Sequence, residues 1–449
     1  MGTLIVILLR QYRLIAPFNR LLISSICQLT LLMLFRATPY RPLTCLFGAV
    51  LCLLAGYVQG QMPAYPFPRT ATYVQGQLPT TLTTADARGA YQLWKTGYLE
   101  TCPNGSVRVK FDDPSQTVSE GIGYGMLLSA YYGDKLSFDG LWQYYQNHLN
   151  ANGIMHWKIN GCTGTNSGQN GATDAELDVA LALVVADRQW GGYTAAATAL
   201  IGKIKTHETQ IVNGLHILKP GDAFGGVACT NASYFSPAYY RVYARVVPAD
   251  STFWLNMARD TYTSLTANAN PTTGLVSDWQ RADTGAPGDA GCGGANFAFQ
   301  GKRYSYDATR TPWRIGLDYL WGSNAGKPLL NKLTTFVKAL PGGGIAAVKD
   351  GYLQDGTVTG LYHNAPFVGA FAVAAMADGQ TTVNTFASDF KAIDPQYEAY
   401  YGKSLRALYM LTLSGNFWDP SPPILTNSSP CEPNCLLIDG KQIKPSPGG

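Results

Sequence analysis

Apolar residues recur at helical spacing along most of this chain. From Ala85 onward Tyr91, Leu93 and Trp94 fall on one face, and Met126, Leu127 and Leu128 begin a second apolar stretch just after Glu120. Phe138, Leu141, Trp142, Tyr145 and Leu149 fit a single helix face, with Ser137 as its cap. Leu177, Leu181, Val184 and Val185 continue from the run Gly171-Ala172-Thr173-Asp174-Ala175-Glu176-Leu177-Asp178, in which Thr173 or Asp174 stands as N-cap. The same spacing predicts helices over 193–206, 237–247, 251–265, 312–322, 328–340, 366–376 and 403–413. Pro237, Pro312, Pro328 and Pro366 stand at or near the first helical position, where a missing N–H costs nothing. Few segments alternate with period two, which argues against a large sheet. About ten or eleven helices without an obvious break predict one all-α domain of helix pairs over residues 85–420. The loops between them are rich in Gly, Asn, Asp, Tyr and Trp, and loops on a rigid scaffold are where sites lie.

Outside that domain the composition changes. Residues 21–34 and 43–58 are apolar runs, and Arg10, Arg13, Arg20, Arg36 and Arg41 precede any acid. Residues 1–61 therefore read as a signal peptide or an uncleaved signal anchor, with Met33 a second candidate start. Both runs fall short of the roughly 20 residues of a clean spanning helix. Either reading places the bulk of the chain outside the cytoplasm, secreted or periplasmic. Residues 62–84, with Tyr73-Val-Gln-Gly-Gln repeating Tyr57-Val-Gln-Gly-Gln, read as linker, and 421–449 as a Pro/Ser-rich tail. Charged residues make up only 14% of the 449 and aromatics 12%, which excludes general disorder. Residues 62–449 carry 28 basic and 29 acidic side chains, so there is no electrostatic footprint for nucleic acid. Cys102, Cys162, Cys229, Cys292, Cys431 and Cys435 lie beyond the N-terminal segment, an even set compatible with bridges whose pairing the sequence leaves open.

Three carboxylates stand in unusual surroundings. Glu120 enters an apolar helix within Ser119-Glu120-Gly121-Ile122-Gly123-Tyr124-Gly125-Met126. Partial desolvation there favours its protonated form, and the alternate glycines permit close approach. Asp307 and Arg310, three apart in Tyr306-Asp307-Ala308-Thr309-Arg310, are placed to face each other, so the guanidinium would keep that carboxylate charged and directed. One carboxyl kept protonated and another kept ionised is the division of labour that glycosidic hydrolysis needs. Asp174 is the third, whereas Glu176 and Asp178 read as first-turn carboxylates favoured by the helix dipole. Trp157, Tyr234, Tyr239, Tyr240, Trp279 and Tyr362 are aromatics of the kind that floor polysaccharide clefts.

These blocks resemble glycoside hydrolase family 8. The resemblance rests on Ser119-Glu-Gly-x-Gly-Tyr-Gly-Met126, Ala172-Thr-Asp174, Asn231-x-Ser-Tyr-Phe-x-Pro-Ala-Tyr239, Gly274-Leu-Val-x-Asp-Trp279, Tyr306-Asp-Ala-x-Arg310 and Ser414-Gly-Asn-Phe-Trp418, in the family's order. It implies an (α/α)6 barrel with a cleft across one end, and hydrolysis with inversion. By motif position it implies Glu120 as general acid, Asp307 as general base and Asp174 as the carboxylate holding the sugar, with Tyr306 and Arg310 flanking the base. Trp157 and Tyr234 are the further substrate-binding candidates. The resemblance implies no metal and no organic cofactor.

The expected function is therefore an inverting endo-β-1,4-glycan hydrolase acting as a monomer on a polysaccharide. Cellulose-type or mixed-linkage β-glucan comes first, xylan second and chitosan third. The rivals are a catalytically silent carbohydrate-binding protein on the same scaffold, and a polysaccharide lyase. A lyase needs a basic cleft, and this chain has only five His.

Overall fold

The computed structural model describes residues 61–71, 73–288 and 302–421, with two short strands beyond. Twelve α-helices run through the described residues. The first six are α1 (Thr84–Tyr98), α2 (Ser119–Tyr131), α3 (Lys135–Asn147), α4 (Thr173–Trp190), α5 (Thr194–His207) and α6 (Pro237–Val246). Then come α7 (Ser251–Asn268), α8 (Thr311–Leu320), α9 (Lys327–Lys338), α10 (Ala365–Ala374), α11 (Gln380–Ala392) and α12 (Tyr400–Leu413). The strands are short and all pair antiparallel. They are β1 (Leu99–Thr101) with β2 (Val107–Val109), and β3 (Thr117–Val118) with β4 (Lys158–Asn160) and β5 (Thr165–Gly168). Further along, β6 (Thr209–Val212) pairs β7 (Leu215–Leu218), β8 (Thr230–Asn231) pairs β9 (Trp279–Gln280), and β10 (Arg303–Tyr304) pairs β11 (Tyr352–Leu353). Finally β12 (Leu436–Ile438) pairs β13 (Lys441–Ile443), inside the stretch expected to be an irregular tail.

Burial sorts the helices into two rings. In α2 twelve of thirteen residues are buried, and in α8 and α10 all ten are. In α1 only three of fifteen are buried, and in α5 four of fourteen. A helix apolar all round must lie inside, whereas an amphipathic one lies outside with one face on the core. The inner helices close a circle: α2 packs on α4, α4 on α6, α6 on α8, α8 on α10, α10 on α12, and α12 returns to α2. Each outer helix leans on that ring, as α5 does on α4 and α7 on α6. This is the (α/α) toroid of paired helices that the periodicity and the resemblance lead one to expect.

Close approach within the ring explains two of the alternate glycines. A Cβ on Gly123 would stand 3.0 Å from Cβ of Asp178, so α2 and α4 could not pack this tightly. A Cβ on Gly121 would stand 2.9 Å from the Tyr400 hydroxyl.

The structure changes four local readings. Residues 62–83, expected as linker, cross the C-terminal end of the inner ring. Backbone N–H groups of Ala64, Ala71, Val74 and Gln77 donate to the carbonyls of Gln189, Gly415, Leu320 and Met376. Those carbonyls lie at or just past helix C-termini, where no intrahelical donor exists, so the segment satisfies groups that would otherwise be stranded. Helix α3 is capped by Asp134, whose side chain accepts from Ser137 N, rather than by Ser137. The N-cap of α4 is Ala172, with Thr173 and Asp174 already helical. Leu93 is 41% exposed while Tyr91 and Trp94 are buried.

Cys102 and Cys162 form a disulfide, which ties the turn after β1 to the stretch between β4 and β5. Cys229 is also disulfide-bonded. Cys292, Cys431 and Cys435 lie outside the described residues, as do residues 1–60.

Candidate active site

The N-terminal ends of the inner helices gather the chemistry-bearing residues at one end of the toroid. Glu120 is the second residue of α2, Asp174 the second of α4, Arg310 immediately precedes α8, and Tyr400 opens α12. Carboxylates at helix N-termini are favoured by the backbone dipoles. Arg310 thus meets Glu120 and Asp174, 190 and 136 positions away, and Tyr400 meets Glu120 across 280, because each ring helix starts at the same end.

Arg310 is the hub. It is 1% exposed, and its Nη1 donates to Oε2 of Glu120 at 2.7 Å and to Oδ2 of Asp174 at 2.9 Å. Its Nη2 donates to Oδ1 of Asp307 at 2.8 Å, the three-residue pairing read from the sequence. The guanidinium also lies over the ring of Tyr234, 5.3 Å from its centroid, and bonds the Tyr124 hydroxyl at 3.2 Å. A planar fork with fixed donors can hold three carboxylates in register where a lysine could not.

The three carboxyls differ in surroundings. Burial pushes Glu120 upward from the ordinary glutamate value; Arg310 and a 2.9 Å hydrogen bond from the Tyr400 hydroxyl to Oε1 pull against it. Glu120 does not cap its own helix, so both oxygens serve the site. Asp307 is the most open of the three, with its side chain 35% exposed, and its Oδ2 accepts from the indole N–H of Trp279 at 3.0 Å. The turn presenting it is fixed by buried Asp278, whose Oδ1 accepts from the backbone N–H of Ser305 and of Ala308 at 2.9 and 2.7 Å.

Asp174 lies deeper than the other two. It is 2% exposed and lies beneath the site, with burial pushing its carboxyl up to about 7 against the pull of Arg310. Its Oδ1 is buried and has no hydrogen-bond partner.

A cavity of about 830 Å³ opens at this end of the ring, and Glu120, Tyr306 and Asp307 all line it. The rest of its wall includes Phe111, Tyr362, Tyr397, Tyr401, Asp394 and Glu398. Tyr306 is 41% exposed, and its hydroxyl donates to Asp350 Oδ2 and accepts from Asn364 Nδ2. Trp157 and Tyr234 are not in the cavity wall. Trp157, also 41% exposed, is placed beside Glu120 by the hydrogen bond from Ser119 N to its carbonyl. Tyr234 is half-buried beside Arg310 and 6.4 Å from Trp279.

Of the first-turn carboxylates, Asp178 pairs in fork fashion with Arg314 at 2.5 and 2.8 Å, both fully buried. Glu176 is buried with the Tyr145 hydroxyl at 3.3 Å. Tyr400, Tyr124, Asp278, Asp350 and Asn364 were not singled out as site residues by their own chemistry. Nothing local marks Tyr400, Asp350 and Asn364; Tyr124 and Asp278 stand inside motif blocks, but their partners lie elsewhere in the chain. For Trp279 there was a signal, its place in an aromatic block beside Asp278.

Comparison with known proteins agrees with this arrangement. The family model described as "Glycosyl hydrolases family 8" matches residues 65–415. Endoglucanase A of Acetivibrio thermocellus is 35% identical over 402 residues, covering 83% of this chain and 80% of that protein. The apo structure of a beta-1,3-1,4-glucanase from Paenibacillus sp. X4 superposes with TM-score 0.72 at 31% identity, over 80% of this chain and 100% of that one. A Teredinibacter turnerae xylanase shares the fold, with TM-score 0.65 at 22% identity over 75% of this chain and 94% of that one. With the toroid, the ordered motif blocks and the match over most of its length, the chain belongs to glycosyl hydrolase family 8 and is a glycoside hydrolase.

Proposed function

We propose that the protein is an inverting endo-hydrolase of β-1,4-linked glucan, cellulose-type or mixed-linkage. Glu120 is its general acid and Asp307 its general base. The observation that carries this reading is the single guanidinium holding both carboxyls at the wall of one cavity. Because Glu120 Oε2 and Asp307 Oδ1 each bond one nitrogen of that group, their separation is capped at roughly 8 Å, compatible with the roughly 6.5–9.5 Å of an inverting pair.

Glu120, protonated because burial disfavours its charge, gives its proton to the glycosidic oxygen as the C–O bond breaks. Asp307 takes a proton from a water that attacks the anomeric carbon from the opposite face, and the product leaves with inverted configuration. Asp174 shares Arg310 with both and offers Oδ1 to the sugar ring as it distorts. Tyr306 and Trp157 supply exposed aromatic faces for sugar C–H surfaces, and Tyr234 and Arg310 support the site from below.

The β-glucan preference is supported by two of the related proteins, an endoglucanase at 35% and a beta-1,3-1,4-glucanase at 31% identity. Xylan is the second reading. The N-terminal pattern of residues 1–61 supports export, to the medium or the periplasm, with a monomeric enzyme the simplest form. Reducing-sugar release from carboxymethyl cellulose, lichenan, xylan and chitosan tests the substrate. Glu120→Gln and Asp307→Asn should each abolish turnover with an unchanged folded spectrum; near-normal rates in either would defeat the assignment. Fractionation of expressing cells tests export, and retention of activity in the cytoplasm would overturn it.

A further inference from the structure

Tyr306 is held from two sides by one chain segment. Asp350, near its start, accepts from the Tyr306 hydroxyl, and Asn364, at its end, donates to the same oxygen. Asp350 Oδ1 also takes the backbone N–H groups of Leu361 and Tyr362, which folds the segment back on itself. The β10–β11 pairing and Gln354, bonded to Asn268 and Leu275, tie the middle of the segment to the fold, and His363, which also lines the cavity, adds a tie near its end.

Both ring nitrogens of His363 face acceptors. Nδ1 lies 3.0 Å from the carbonyl oxygen of Val348, and Nε2 lies 3.1 Å from Oδ2 of Asp389 on α11. A carbonyl and a carboxylate can only accept. A neutral imidazole has one N–H and would turn a lone pair toward one of them; the imidazolium presents an N–H to each, bonding the Val348 carbonyl and ion-pairing with Asp389, whose Oδ2 has no other partner. The charged groups acting on the ring are Asp389 from α11 and Lys349 from the segment itself. Asp394 and Glu398 line the same cavity, and Glu398 is already paired with Arg406. Asp389 outweighs Lys349 and burial, so the imidazole holds its proton above the ordinary histidine value.

We infer that His363 is a positioning residue worked by a proton: as imidazolium it clamps segment 348–364 between Val348 and Asp389 and thereby holds Tyr306 against the cavity, and when it loses the proton the clamp loosens and sugar binding weakens. The effect on binding rests on the reading of Tyr306 as a sugar-contacting residue. The clamp itself does not.

Two measurements on the purified full chain test it. The first is a histidine Cε1–H NMR titration without substrate, with the signal missing from His363→Gln assigned to His363. It should titrate above the ordinary value of about 6.5 and move down in Asp389→Asn. The second is the KM for a β-glucan oligosaccharide. Compared with Asp389→Asn, whose amide can accept from the imidazolium and donate to the neutral ring, the wild type should show an equal KM near pH 5 and a KM raised about fivefold at a pH above the His363 midpoint, with kcat within about twofold between the two. His363→Gln, whose amide N–H reaches toward Asp389 without titrating, should show a flatter KM between the two pH values. A His363 that titrates at or below the ordinary value, or a wild-type to Asp389→Asn KM ratio that does not change with pH, overturns the inference. Absence of hydrolysis on every glycan would instead refute the proposed function, and the NMR titration would still decide the clamp.

Discussion

Tyr400→Phe removes one oxygen and little else. The ring keeps its edge contacts with Tyr98 and Phe111, at centroid separations of 5.8 and 5.1 Å, so the fold should persist. What is lost is the 2.9 Å hydrogen bond into Glu120 Oε1. That bond favours the charged carboxylate, so deleting it raises the Glu120 pKa further. Hydrogen bonds to charged groups are worth about 1.5–3 kcal/mol, and one pKa unit corresponds to about 1.4 kcal/mol. Since Arg310 still holds Oε2 and the side chain is 19% exposed, the lower end applies: a rise of about one unit. The general acid must be protonated to act, so its pKa sets the alkaline limb of kcat/KM. That limb, measured on a soluble β-glucan, should move up by about one pH unit while the acid limb stays. Gly121→Ala offers an independent route, because its Cβ would stand 2.9 Å from the Tyr400 hydroxyl and push it off Glu120. An alkaline limb that stays in place or moves down in Tyr400→Phe would refute the reasoning.

Glu208 and Glu176 are buried near one another, and burial holds the Glu208 proton up to about 8. An unfolded chain gives that proton up near 4.3, so the folded state binds more protons between about 4.3 and 8 and loses stability as pH rises through that window. Glu208→Gln should flatten the fall in urea midpoint between pH 5 and 9; an unchanged slope would contradict this. Asp178→Asn leaves Arg314 charged and unpaired in the core and should cost about 3–5 kcal/mol in urea unfolding. A loss under about 1 kcal/mol would show the pair to be dispensable. Replacing Cys102 and Cys162 with Ser opens a bridge spanning 60 residues, worth about 4 kcal/mol in the chain-entropy model. Unfolding midpoints with and without the bridge measure it, and equal midpoints would contradict the expectation.

Much of the scaffold was legible because an inner ring and an outer ring both write a 3.6-residue period. Helix α11 escaped notice although Val383, Phe386, Ala387 and Phe390 have the right spacing, since its other positions are mostly polar and it buries only those four. The strap over residues 62–83 escaped for another reason. Its role depends on N–H groups reaching carbonyls of distant helices, and a Pro- and Thr-rich composition looks the same in a strap as in a linker. In the site, the Asp307–Arg310 pairing was readable because both ends lie within one turn. That the same guanidinium reaches Glu120 and Asp174, 190 and 136 positions away, depends on the ring closing and has no local trace. The same holds for Asp174: its motif position was clear, but its depth below the cavity follows from packing around α4.

The most direct test of the account is the configuration of the first product. Proton NMR recorded during the opening minutes of cello-oligosaccharide or mixed-linkage glucan hydrolysis, before mutarotation, separates the anomers. Water delivered by Asp307 opposite to a leaving group protonated by Glu120 predicts the α-anomer first. Initial appearance of the β-anomer would contradict the assignment of these two carboxyls.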